Sequence, residues 1–227
     1  MKPYFKPLCI MICCLCHTLG FELYSEPFFI QTPARSWVEL RNKNLTHQQY
    51  DYSCGAASLS TLLSYYYGIP TDEREILDFL LEYKGISADR KREIEVNEEL
   101  RDRAHLSFAD LAVFAEHKGL RVQGLALSLQ SLAKLQMPVI IYVNVRDMEH
   151  FSVYKGMDSR FVYLADPSLG NIKVSIAKFV EMFYKREDLS YPGKILAILG
   201  EGGRAEFLER KESAMIYRGI VDSLQAR

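Results

Sequence analysis

Apolar residues recur at helical spacing up to Lys118, and short strand-like apolar runs dominate after Pro138. From Cys54 to Tyr67 a run of small and then larger apolar residues, ended by Gly68 and Pro70, predicts a helix. Thr71-Asp72-Glu73 caps a second helix with Ile76, Leu77, Leu80 and Leu81 on one face, and Tyr83-Lys84-Gly85 ends it. Ser107 and Asp110 form a capping-box-like start, with Asp in place of the usual Glu, for a helix reaching Lys118. That helix turns Leu111, Phe114 and Ala115 inward. Residues 86–103 mix both charge signs without a comparable stripe and read as a solvated, partly helical connection.

A short strand is predicted over 121–127 and a small helix near 129–135. Val139-Ile140-Ile141-Tyr142-Val143 is a buried-strand run. Phe151 to Lys155 and Phe161 to Ala165 read as two strands joined by the turn at 156–159. Ile172 to Val174 gives a further strand, Ile176 to Tyr184 a helix, and Lys194 to Leu199 the last strand. Helices followed by strands predict an α+β fold, a helical N-terminal half against an antiparallel sheet.

The two ends read differently. Lys2 and Lys6 precede an apolar stretch from Leu8 to Leu19, too short for a comfortable membrane span, with Thr18-Leu19-Gly20 ahead of Phe21. This is the layout of an export signal, and a membrane anchor is its alternative. Residues 21–47 lack periodicity and contain Pro27 and Pro33, as an extended arm or covering segment would. Beyond Gly200, Gly202 and Gly203 lies a charged amphipathic tail, which fits a solvated helix or a partner contact. The expected division is a signal over 1–20, an arm over 21–44, one domain over 45–200 and the tail over 201–227.

Among 227 residues, 29 acids nearly cancel 28 bases, so nothing argues for a nucleic-acid partner. Cysteine changes the picture more. Cys9, Cys13, Cys14 and Cys16 all lie in the apolar start, leaving Cys54 alone in the rest of the chain. One thiol cannot make an internal disulfide, and without paired His spacing it offers no zinc set. Cys54 does open a helix, where unpaired backbone N–H groups favour a thiolate. The small residues Gly55, Ala56 and Ala57 beside it allow close approach of a substrate.

A thiol nucleophile needs a base, and the base needs an acceptor to orient it. His17 lies in the signal, His47 in a loop close to Cys54 in sequence, and His105 and His117 in charged helical surroundings. His150 directly precedes the apolar strand Phe151-Ser152-Val153-Tyr154. Asp166 stands just past the end of the next strand, before Pro167, within reach of that imidazole across antiparallel neighbours.

Three blocks carry a family likeness: Gln48 through Cys54-Gly55-Ala56-Ala57-Ser58-Leu59, then Glu149-His150-Phe151-Ser152-Val153, then Tyr163-Leu164-Ala165-Asp166-Pro167-Ser168-Leu169-Gly170. Over residues 45–185 the chain resembles the bacteriocin-processing, double-glycine leader peptidases, which have a papain-like fold. The resemblance implies Cys54 as nucleophile, His150 as general base and acid, Asp166 as the orienting carboxylate and Gln48 as the oxyanion-stabilising glutamine. It implies no metal or organic cofactor. It also implies an extended peptide substrate cut after two small residues, commonly Gly-Gly. Ser53 departs from the acidic residue many members carry before the nucleophile.

No phosphate-binding Gly-rich loop with Lys-Ser/Thr is found, unlike members fused to a transporter with an ATPase domain. An export signal with a free-standing peptidase is similar to the periplasmic members of functional-amyloid (Fap-type) secretion systems. That likeness implies periplasmic location and secretion-system or amyloid partners. Two other classes remain: a non-hydrolytic peptide-binding module on the same fold, against which the intact set argues because binding alone needs no thiol, and a thioester acyltransferase or transglutaminase, which can share the triad. The helix-end Tyr65-Tyr66-Tyr67 run reads as core and rim packing before it reads as a pocket wall.

Overall fold

A computed structural model describes residues 36–145 and 148–199. The stretches expected as export signal (1–20), first part of the arm and tail (201–227) lie outside the described residues. Ser36 caps α1 (Trp37–Asn42), a short helix where an extended arm was expected. Then come α2 (Cys54–Tyr66), α3 (Glu73–Tyr83) capped by Asp72, a 3₁₀ turn at Ala88–Arg90, α4 (Lys91–Val96), α5 (Glu98–Ala104) and α6 (Phe108–His117). Ser107 and Asp110 close a full capping box on α6. Asp serves because its carboxylate reaches the Ser107 N–H at 2.7 Å.

The second half supplies β1 (Arg121–Leu127), α7 (Leu129–Ala133), β2 (Val139–Val145), β3 (Met148–Met157), β4 (Phe161–Asp166), β5 (Gly170–Ser175), α8 (Ile176–Phe183) and β6 (Gly193–Leu199). These strands form one six-stranded antiparallel sheet in the order β1-β6-β2-β3-β4-β5. The fold is thus the expected α+β arrangement.

Alternation along β2 builds a core on each face of the sheet. Ile140, with Phe151, Val153 and Ala165 of the neighbouring strands, packs under α2, α3 and α6. Ile141 and Val143, with Tyr154 and Leu164, pack against Phe179, Met182 and Phe183 of α8. Helix α2 is central: Cys54 through Leu63 are all buried. A helix covered on nearly every side needs no polar stripe, which explains its weak periodicity in sequence.

The segment at 86–104 is more ordered than its composition suggests. Ile94, Leu100 and Ala104 are buried, and Lys91, itself buried, pairs with Asp78 of α3. Its apolar anchors are sparse, one every turn or two, which hid the stripe. Tyr65 is exposed, whereas Tyr66 and Tyr67 pack on the core and the Tyr67 hydroxyl donates to the Ile198 carbonyl at 3.0 Å.

Candidate active site

Cys54 is the first residue of α2 and is only 4% exposed. The chain enters it through a turn gathered on one carbonyl. The Tyr50 oxygen accepts from the Ser53 N–H at 3.1 Å, the Ser53 hydroxyl at 2.8 Å and the Gln48 side-chain amide at 3.0 Å. In return the Tyr50 N–H donates to Ser53 Oγ at 3.1 Å. Gln48 is also tied to the loop after Asp166: its N–H donates to the Pro167 carbonyl at 3.0 Å and its Oε1 accepts from the Ser168 hydroxyl at 2.8 Å. A primary amide carries two hydrogens, so the bond to Tyr50 commits one of them.

Strand register brings His150 and Asp166 together. Val153 stands opposite Ala165, so the next pair sets Asp166 against Ser152, and alternation places His150 on that same side. His150 Nε2 lies 2.9 Å from Asp166 Oδ2. The other carboxylate oxygen accepts from the Ser168 and Leu169 N–H groups, each at 3.0 Å, a side-chain-closed turn. His150 lies inside β3, whose first residue is Met148, and not ahead of it; Asp166 is the last residue of β4. Pairing of Val143 with His150 and Val145 with Met148 carries the strand through polar positions that the hydrophobic pattern left out.

The His150 ring also shares a side-chain hydrogen bond with Cys54. With Nε2 committed to Asp166, Nδ1 is the nitrogen available to the sulfur. Burial pushes the imidazolium pKa down. The hydrogen bonds to Asp166 and Cys54, and the charges of those two groups, outweigh it and lift the pKa to about 10. The other described histidines are occupied elsewhere. His47 bridges Asn42 Oδ1 at 2.8 Å and the Pro167 carbonyl at 3.2 Å, His105 caps α5, and His117 lies against Phe79 with ring centroids 4.6 Å apart.

Aromatic rings flank the thiol end of α2. Phe151 sits 5.1 Å from Phe108 and 5.5 Å from Tyr142, centroid to centroid. A Cβ added to Gly55 would meet Phe151 at 3.2 Å, which explains a glycine directly after the cysteine. Burial, then Glu149 and the charge at Cys54, push the Tyr142 phenol up, so it stays protonated.

Two residues near the site were passed over in the sequence. Ser168, the residue after Asp166-Pro167, binds Gln48 and caps Asp166. Glu73, read only as part of a helix cap, is 1% exposed and accepts the Gln49 N–H at 3.0 Å through Oε1. A cap triplet gives no hint that one of its carboxyls turns inward. Among the described residues no group of three or more His, Cys, Asp or Glu is arranged to hold a metal ion.

Residues 90–186, which include His150 and Asp166, match the model of the peptidase C39 family. Over those residues, which do not include Cys54, the chain resembles the peptidase C39 family. The chain is a cysteine peptidase. Two proteins named "Probable functional amyloid protease FapD" are similar to it. The one from Pseudomonas aeruginosa is 27% identical over 185 residues, covering 82% of this chain and 73% of that protein. The one from Pseudomonas fluorescens is 29% identical over 164 residues, covering 72% and 64%. Among solved structures, a double glycine motif protease from an AMS/PCAT transporter, in complex with the leader peptide, aligns with a TM-score of 0.44 and 22% identity, over 68% of this chain and 89% of that one. No helix among the described residues is long and apolar enough to cross a membrane.

Proposed function

We propose that this protein is a periplasmic endopeptidase of the C39 family that cleaves an exported peptide or protein after a Gly-Gly-like pair, using Cys54, His150 and Asp166. The observation that carries this reading is the His150 ring, bonded to Asp166 at 2.9 Å and to the thiol at the mouth of α2. Cys54 Sγ attacks the scissile carbonyl carbon, and the C=O electron pair moves onto oxygen. The Gln48 amide and the Cys54 backbone N–H stabilise that oxyanion. When the intermediate collapses, the C–N bond breaks and the His150 imidazolium gives its Nδ1 proton to the leaving amine. The neutral ring then takes a proton from water as its oxygen attacks the thioester. Breaking the C–S bond releases the acid, and Cys54 and His150 return to their starting state.

Asp166 keeps the ring oriented and balances the imidazolium charge. Phe151 beside Gly55, with Phe108 and Tyr142 packed on its ring, suits a narrow apolar slot that admits glycine and excludes larger side chains. The name of the Pseudomonas relatives directs the search for substrate to an exported component of a functional-amyloid system. The N-terminal apolar run supports export.

The test is mass spectrometry of exported proteins from strains carrying the wild-type or the Cys54→Ala protein. A defined terminal fragment should be released only by the wild type, which gives substrate and bond together. An unchanged exported profile, with purified wild type unable to hydrolyse any of those proteins, would remove the peptidase reading of this site.

A further inference from the structure

Glu73 is a buried carboxyl for which the triad chemistry has no use. It opens α3, directly after the N-cap Asp72, where an exposed side chain would interact with the helix end and be solvated. Instead the side chain turns under the segment that leads into Cys54. Its Oε1 accepts the backbone N–H of Gln49, the residue after Gln48, at 3.0 Å. The Ser53 hydroxyl, directly before Cys54, gives its proton to the Tyr50 carbonyl but lies close enough to the Glu73 carboxyl to favour its charged form. Glu73 Oε2 is buried with no partner. A carboxyl taken out of water with incomplete compensation costs stability, so its place under this turn has to be accounted for by what it holds.

The geometry accounts for it. Gln48 and Ser53 reach the same Tyr50 carbonyl from opposite ends of the turn. No strand ladder fixes this backbone; it is bounded by the Gln48–Pro167 bond on one side and the start of α2 on the other. From α3, Glu73 bonds one flank at the Gln49 N–H and lies against the other at Ser53. We infer that Glu73 is a positioning residue of the peptidase: from α3 it sets the Gln48–Ser53 turn so that the Gln48 amide and the Cys54 N–H converge on one oxyanion. This rests on the proposed peptidase reading. Burial lifts the Glu73 carboxyl above its ordinary range, against the opposing influence of nearby Ser53 and the Gln49 hydrogen bond, which favours a neutral group there. A neutral acceptor is what glutamine would also supply.

The experiment compares wild type, Glu73→Ala, Glu73→Gln and Cys54→Ala, each as the full chain. Three readouts are used: hydrolysis of a fluorogenic peptide amide ending in Gly-Gly, alkylation of Cys54 by iodoacetamide, and hydrogen exchange across residues 48–54. Alkylation needs the reactive sulfur but forms no tetrahedral oxyanion. Glu73→Ala should therefore lower kcat by about tenfold or more, with KM and alkylation within about threefold of wild type. Exchange over 48–54 should rise about tenfold while β2 and β3 stay protected. Glu73→Gln should restore every value. Wild-type kcat and exchange in Glu73→Ala would overturn the inference. So would loss of alkylation in step with kcat, or a Glu73→Gln protein as impaired as the alanine variant. If Cys54→Ala hydrolyses the peptide, or wild type does not, the peptidase reading fails on its own, and the exchange comparison still decides the role of Glu73.

Discussion

His150 and Asp166 sit on paired strands, whereas Gln48 and Ser53 sit on a turn that no strand ladder fixes. On the strand side, the Val153–Ala165 register sets the two residues on one face, and the Asp166 turn locks the carboxylate with two backbone N–H groups. On the turn side, order comes from side chains borrowed from distant places: Ser168 after β4 and Glu73 on α3. A ladder distributes its hold over many bonds, so one substitution loosens it little. A turn held by a few side-chain bonds can be undone one contact at a time. Changes on the strand side should therefore leave the backbone in place, whereas changes on the turn side can also loosen the turn.

The largest effect sharpens the strand side of that contrast. Asp166→Asn keeps an oxygen for the Ser168 and Leu169 amides but presents an amide where Oδ2 faced the ring. Turnover should fall by about 10²–10⁴-fold, through loss of ring orientation and of the charge that balances the imidazolium. The pH profile gives the sign. His150 is lifted to about 10, so the imidazolium persists to alkaline pH and kcat/KM should fall as pH rises through about 10. Removing the Asp166 charge removes one cause of that lift and should move the alkaline limb to lower pH. The stability that His150 contributes follows the same direction: fully present below its ordinary value near 6.5, and lost as pH rises through about 10. Alkylation rate against pH, in both proteins, checks the shift. An unmoved limb would mean that Asp166 does not govern the ring.

Next in size is Gln48→Ala, on the turn side. Loss of one oxyanion donor should cost about 10²–10³-fold in kcat with little change in KM. The Cys54–His150 pair does not depend on that amide, so alkylation of Cys54 should proceed at the wild-type rate. If alkylation falls as far as turnover, the Gln48 side chain is holding the nucleophile in place rather than stabilising the intermediate.

The same contrast explains what could be read from the chain. Cys54, His150 and Asp166 are marked locally, by a helix entrance, an apolar strand and an Asp-Pro exit. Runs such as Val139 to Val143 and the stripe at Ile76, Leu77, Leu80 and Leu81 carry their period in adjacent residues, so most elements were legible. Strand ends were not, because Met148 and Glu149 are exposed and belong to β3 only by pairing with β2. The α4–α5 segment was obscured for another reason: few of its residues are buried, and Lys91 is held inside by Asp78 from another helix. Glu73 and Ser168 were hidden in the same way. Their partners, Gln49 and Gln48, lie 24 and 120 positions away, and no local pattern encodes such a contact.

The smallest effect lies where α1 meets the sheet, behind the turn. Asn171 is buried on β5 and its amide donates to the carbonyls of Leu40, Arg41 and Lys43 at 3.2, 3.1 and 2.7 Å, closing the C-terminal end of α1. Arg41 Nε in turn donates to the Leu169 carbonyl at 2.7 Å, one residue from Ser168. Gly170 has φ +88, and a Cβ there would meet Arg41 Cγ at 2.5 Å, so the contact is close as well as polar. Asn171→Ala removes the donor, but the freed helix-end carbonyls can turn to water. The cost should be about 1–3 kcal/mol in stability, read from the urea midpoint. Turnover should fall by less than about threefold, since Ser168 and Gln48 keep their own bond to each other. A loss of turnover as large as that of Gln48→Ala, at nearly unchanged stability, would break the contrast. The borrowed contacts would then reach past Ser168 to α1, and the helix would count among the elements that set the oxyanion turn.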